Sequence, residues 1–148
     1  TGCSELLDEL TEAYDHLFCA AGTGTTAAGI LSGINRKSLA TKMHIVPVLK
    51  GADFLKQEIN KLSNGASFEF HTEYHFGGYA KTSDELLNFI KDFTSSTGIL
   101  IDPVYTGKLF FAIYDLISKD YFARGSRILA VHTGGITGIL GMADRFKF

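Results

Sequence analysis

His-Leu-Phe-Cys-Ala-Ala-Gly-Thr-Gly-Thr-Thr-Ala-Ala-Gly-Ile-Leu-Ser-Gly-Ile-Asn-Arg, residues 16–36, is the stretch that decides the fold. An apolar run stops at Gly22-Thr23-Gly24-Thr25-Thr26, and an alanine-rich helical pattern follows at once. A strand that turns into a helix at that point directs several unpaired backbone N–H groups, and the positive end of the helix dipole, to one place. That arrangement binds a phosphate. The threonine hydroxyls add donors, and the glycines let the backbone come close to a ligand. No lysine lies in the loop, so peptide dipoles and hydroxyls would hold the anion. A glycine-rich strand-to-helix turn that binds nothing is the competing reading of the same residues.

Working outward, helix and strand patterns alternate along the whole chain. Ser4 before Glu5, with Leu6, Leu7, Leu10, Ala13 and Tyr14 at helical spacing, predicts a capped amphipathic helix. Strands are expected at Leu17–Ala21, Met43–Leu49, Phe68–Tyr74, Gly98–Ile101 and Arg127–His132. Pro47 lacks a ladder donor, which implies an edge position or a strand end. Helices are expected at 26–35, at 53–62 with Phe54, Leu55, Ile59 and Leu62 on one face, from Thr82-Ser83-Asp84-Glu85 to about Ser95, and at 107–119. Apolar strands separated by helices imply a three-layer α/β fold, a mostly parallel sheet covered on both faces. No linker or repeat divides residues 1–148, so one domain is expected.

The totals narrow the function classes. The 148 residues are 45% hydrophobic and 20% charged, enough for a real core. The formal net charge of -2, with Lys and Arg dispersed, argues against a nucleic-acid surface, and no apolar run reaches membrane-span length. Cys3 and Cys19 have neither metal nor disulfide spacing; Cys19 reads as a small core residue, and a reducing, cytoplasmic setting is expected. His44, His71 and His75 show no metal-ligand spacing.

In open parallel sheets, ligands gather beyond the carboxyl ends of the strands. Four unusual segments are expected there: Gly22–Thr26, Gly77-Gly78-Tyr79, Asp102–Lys108 and His132–Gly135. A dinucleotide fits Gly22-x-Gly24-x-x-Ala27 only loosely, because the acid that should close the next strand, Asp53, comes late. A nucleotide P-loop is excluded, since no Gly-Lys-Ser/Thr follows the glycines. Phosphate on a smaller cofactor fits better.

Taken together, Cys-Ala-Ala-Gly-Thr-Gly-Thr-Thr-Ala-Ala-Gly (19–29), Ile-Leu-Ile-Asp-Pro-Val-Tyr-Thr-Gly-Lys (99–108) and Ala-Val-His-Thr-Gly-Gly (130–135) resemble the D-cysteine desulfhydrase and 1-aminocyclopropane-1-carboxylate deaminase family, pyridoxal-phosphate enzymes of the tryptophan-synthase-β-like fold. The resemblance runs in order over essentially the whole chain. It implies that Gly22, Thr23, Gly24, Thr25 and Thr26 bind the phosphate of pyridoxal 5'-phosphate, and that Thr133, Gly134 and Gly135 line its ring. By the same carry-over, Tyr105 and Tyr79 are the catalytic phenols beside the substrate, donating or relaying protons. Thr106 would face the pyridine nitrogen; a neutral hydroxyl there weakens the electron sink and suits β-elimination. The cyclopropane deaminases carry glutamate where Thr106 stands and leucine where Thr133 stands, so the two threonines point to the desulfhydrase-like branch.

The resemblance also implies that the Schiff-base lysine belongs to a half of the enzyme upstream of Thr1. The chain is then expected to be a C-terminal half, inactive alone, of an enzyme that is usually a homodimer. Lys108, in the first turn of a helix, matches a different family position and is expected on the surface or behind the site. His132 is expected to be a structural strand-end histidine, and Asp102 to fix the turn before Pro103. The implied reaction converts a small amino acid, D-cysteine, into pyruvate, sulfide and ammonia. Deamination of 1-aminocyclopropane-1-carboxylate is the alternative, and a non-catalytic phosphate- or nucleotide-binding module is the second.

Overall fold

The computed structural model describes residues 2–135; Thr1 and residues 136–148, the ends of the expected 1–148 domain, lie outside them. A short helix α1 (Gly2–Glu5) and a 3-10 turn (Leu6–Asp8) lead into β1 (His16–Ala21), α2 (Thr25–Arg36), β2 (Lys42–Pro47) and α3 (Asp53–Leu62). Then come β3 (Glu69–Phe70), a 3-10 turn (Thr72–His75), α4 (Asp84–Thr97), α5 (Thr106–Ser118) and β4 (Ile128–Ala130). The sheet order is β3-β2-β1-β4, and every pairing is parallel.

Side chains alternate between two buried faces, which is why the strands read as continuous apolar runs. Leu17, Cys19 and Ala21 of β1, with Met43 and Ile45 of β2, pack against α2 and α3. Phe18, Ala20 and Val46 face the opposite side and pack against Leu109, Ala112 and Ile113 of α5. Burying a side chain such as Leu17 or Phe18 contributes roughly 1.5–3 kcal/mol. Helix α4 packs outside, setting Leu86, Ile90 and Phe93 against Ile101 and α5. The three-layer α/β expectation therefore holds, and the Cys19 thiol is buried, donating to the Ala20 carbonyl at 3.2 Å.

Several local expectations are corrected. The predicted helix over residues 4–14 stops early, because the chain ahead of β1 is held by the sheet ends instead. The Asp15 N–H donates to the Arg127 carbonyl, the Asp15 carbonyl accepts from the Lys42 N–H, and the Tyr14 carbonyl accepts from the Thr41 hydroxyl at 2.8 Å. Phe68–Tyr74 yields only the two-residue β3. After His71 donates to the Ile45 carbonyl, the chain turns so that Tyr74 is buried with its hydroxyl 2.7 Å from the Asp115 carboxylate. Residues 98–101 form no strand: Gly98 ends α4 in a left-handed conformation, φ 74°, and only Ile101 is buried, while Ile99 and Leu100 are exposed. On α3, Leu55 and Ile59 are buried, whereas Phe54 and Leu62 are each 56% exposed. Pro47, by contrast, is a strand end as expected, on an interior strand beyond the reach of β3 pairing.

Candidate functional site

The turn after β1 has the geometry that its composition requires. Gly24 caps α2 with φ of 81°, a left-handed conformation that costs an ordinary residue roughly 1–2 kcal/mol. No side chain caps the helix, so the first-turn N–H groups of a 12-residue helix face outward at its positive end. The Thr23 and Thr25 hydroxyls lie 3.3 Å apart beside them. A Cβ on Gly24 would sit 2.8 Å from Ile59 and 2.9 Å from Leu55, so packing against α3 excludes a side chain here as well.

Beyond this turn is a cleft of about 140 Å³. Gly22, Thr23, Gly24 and Thr26 form one wall, Tyr105 and Thr133 the other, over a floor of alanines from β1 and α2. Residues separated by up to 113 positions in sequence thus share one cavity at the carboxyl ends of the strands, where ligands are expected. A larger hollow, about 290 Å³, lies at the opposite strand ends among Leu7, Leu10, Leu39 and Leu129; it has no glycine turn and no helix N-terminus aimed into it.

Helix α5 positions Tyr105. The Asp102 carboxylate accepts from the Tyr105 N–H at 2.9 Å and from the Thr106 N–H at 3.0 Å, and the Asp102 carbonyl accepts from the Gly107 N–H at 2.7 Å. Asp102 therefore fixes this turn, as expected. A Cβ on Gly107 would fall 2.5 Å from the Asp102 carbonyl, which is why glycine stands there. The Tyr105 ring meets Tyr79 edge-on, centroids 6.1 Å apart. Burial, then the hydrogen bond with Tyr79, pushes the Tyr105 phenol up to about 12. It is accordingly a neutral proton donor across the physiological range.

Not every expected site residue reaches the cleft. Thr106 is fully buried; its hydroxyl accepts from the Asp102 N–H at 2.8 Å and lies 3.3 Å from the Asp102 carboxylate. It braces the Asp102 turn and does not line the cavity. Gly134 and Gly135, with φ of 85° and 91°, turn the chain after Thr133, and a Cβ on Gly135 would lie 3.6 Å from the Asp102 carboxylate. His132 shapes this turn: its Nε2 donates to the Leu100 carbonyl at 2.9 Å, and its Nδ1 accepts from the Gly134 N–H at 3.1 Å. Tyr79 is 54% exposed at the lip.

Two features escaped the sequence. Lys108 is fully buried and donates to the His75 and Gly78 carbonyls, each at 2.8 Å. His16, His44 and His71 form a hydrogen-bonded row across β1, β2 and the end of β3, with contacts of 2.9 and 3.0 Å. The Phe18 ring stacks on His44 at 4.3 Å. The parallel register of neighbouring strands sets these histidines side by side. Among the described residues no cluster of metal-ligating side chains occurs, and no helix is long and apolar enough to cross a membrane.

Comparison with known proteins adds to this geometry. A family model described as "Pyridoxal-phosphate dependent enzyme" matches residues 1–134. The bifunctional D-cysteine desulfhydrase/1-aminocyclopropane-1-carboxylate deaminase of Arabidopsis thaliana, a mitochondrial protein, is 34% identical over 89% of this chain and 35% of its own length. A putative 1-aminocyclopropane-1-carboxylate deaminase of Pyrococcus horikoshii is 30% identical over 95% of the chain and 46% of its own length. The crystal structure of an ACC deaminase homologue superposes with a TM-score of 0.86 at 29% identity, over 97% of this chain and 46% of that one. The chain spans about half the length, or less, of these relatives.

Proposed function

The chain belongs to the pyridoxal-phosphate-dependent enzyme family, and from that premise we propose that its enzyme eliminates the β-substituent of a small amino acid, converting D-cysteine and water into pyruvate, sulfide and ammonia. The observation that carries this reading is the shared cleft: an uncapped helix N-terminus and a glycine turn opposite a protonated phenol and a threonine hydroxyl. These residues fit the cofactor. The α2 N–H groups, with Thr23, Thr25 and Thr26, would hold its phosphate, and the absence of a Cβ at Gly22 and Gly24 keeps the backbone approachable. The Thr133 hydroxyl would meet the ring, with Gly134 and Gly135 shaping the wall beside it.

When bound, pyridoxal phosphate supplies the electron sink that lets the substrate's α-proton leave. The chain's own residues do the rest of the positioning. Tyr105 Oη, protonated and aimed into the cleft, donates a proton to the departing sulfur, and Tyr79 holds that phenol from the lip. Thr106 acts through Asp102, keeping the Tyr105 turn in place. On this reading the amine that would carry the cofactor lies outside residues 2–135, and those residues alone are inactive. A homodimer in a reducing compartment, where Cys3 and Cys19 stay free, completes the reading.

The test is to incubate full-length protein with pyridoxal phosphate and assay D-cysteine for pyruvate and sulfide, and 1-aminocyclopropane-1-carboxylate for 2-oxobutyrate and ammonia. A visible absorption band with sulfide release supports the proposal. Deamination of the cyclopropane substrate alone selects the second reading, which the names of the relatives favour. Binding of a nucleotide with no visible band selects a non-catalytic module.

A further inference from the structure

We propose that Lys108 is a positioning residue: it locks the Gly77–Ala80 turn so that Tyr79 meets Tyr105 at the mouth of the cleft. The inference rests on the reading above only in giving the two phenols a role with substrate. A lysine in the first turn of α5 is poorly placed in energetic terms. It is fully buried, it stands near the positive end of the helix dipole, and burial pushes its amine down to about 8. Its Nζ meets two main-chain carbonyls of one turn, at His75 and Gly78, both at 2.8 Å.

That turn needs holding. Phe76 and Ala80 have φ of 52° and 54°, and Gly77 and Gly78 have φ of 95° and 125°. Each non-glycine residue in this region costs about 1–2 kcal/mol, and such strain persists only where surroundings over-determine it. The turn's own bonds run from Gly77 N–H to His75 Nδ1 at 2.9 Å, from Gly78 N–H to the His75 carbonyl at 3.0 Å, and from Lys81 N–H to the Gly78 carbonyl at 3.1 Å. Lys108 takes the second lone pair of both carbonyls. Tyr79, the next residue, is more than half exposed, and its ring meets that of Tyr105. Because Tyr105 caps the same helix turn that carries Lys108, one element sets the position of both phenols.

Full-length wild type, Lys108→Met, Tyr79→Phe and the double variant distinguish this role from plain stabilisation. Amide exchange over residues 76–81 should speed about tenfold or more in Lys108→Met, with β1 and β2 unchanged. On D-cysteine, Lys108→Met should lower kcat about tenfold with KM little changed, and cost far less in the Tyr79→Phe background. Unchanged exchange in the turn, or fully additive losses, overturns the proposal. If wild type turns over no amino acid, the functional reading fails while the exchange result still decides the role of Lys108. Should Lys108→Met not fold, acetylation of the wild type decides: Lys108 should react about a hundredfold more slowly than the exposed Lys81, and equal rates refute the lock.

Discussion

A Cβ on Gly22 would lie 3.1 Å from both Cε1 and Oη of Tyr105. The first glycine of the turn after β1 therefore determines how closely the phenol approaches. Gly22→Ala should displace the ring by a few tenths of an ångström and lower kcat/KM about tenfold, about 1.4 kcal/mol, with the denaturation midpoint little changed. Tyr105→Phe keeps the ring contact but removes the proton, and kcat should fall about a hundredfold. Steady-state kinetics on D-cysteine check both; a fully active Tyr105→Phe enzyme would remove Tyr105 from the mechanism.

Thr133 offers the cleft a hydroxyl from the far end of the chain. Thr133→Val preserves shape and removes that donor, so the dissociation constant for pyridoxal phosphate should rise about tenfold. Absorbance titration of the apoenzyme measures it, and an unaltered constant places the cofactor ring elsewhere.

Thr106 gives a contrasting expectation. Its hydroxyl accepts from the buried Asp102 N–H, so Thr106→Val leaves that donor unpaired and should cost about 1–3 kcal/mol of stability, read from urea unfolding. A variant as stable as wild type would show that the Asp102 turn does not depend on it.

The histidine row makes stability depend on pH. Burial, then the neighbouring His71 and His16, lowers His44 from 6.5 to about 3, and burial also lowers His16 and His71. Below pH 6.5 the unfolded chain binds protons that the folded one refuses, so stability is complete above 6.5 and is lost as pH falls from there towards 3. The slope from His44 alone is about 1.4 kcal/mol per pH unit. Replacing His44 with Phe should flatten it, as followed by urea midpoints between pH 7 and 4; an unchanged slope would assign the acid sensitivity to other groups.

Local sequence specified β1, the Gly22–Thr26 turn and α2, because strand alternation, glycine at a positive φ and helix amphipathicity each act within a few residues. The Ser83 cap is legible for the same reason: its hydroxyl accepts from the Leu86 N–H at 3.2 Å, three residues on. The resemblance carried by residues 99–108 and 130–135 anticipated Tyr105 and Thr133 beside that turn, and the cleft brings them there. What failed was length and pairing. Residues 4–14 have helical spacing, yet the chain ahead of β1 is held at Tyr14 and Asp15 by the starts of β2 and β4.

The chain's own order of residues thus determined the layered α/β architecture and the Gly22–Thr26 turn, since both follow from periodicity and backbone conformation over short spans. Tertiary structure alone decided that Thr106 braces Asp102 instead of facing the cleft, that Lys108 is buried against Gly78, and that three histidines form a row. The rotation of α5 about its axis and the register of β1 against β2 set those contacts, and both are fixed by packing between segments far apart in the chain.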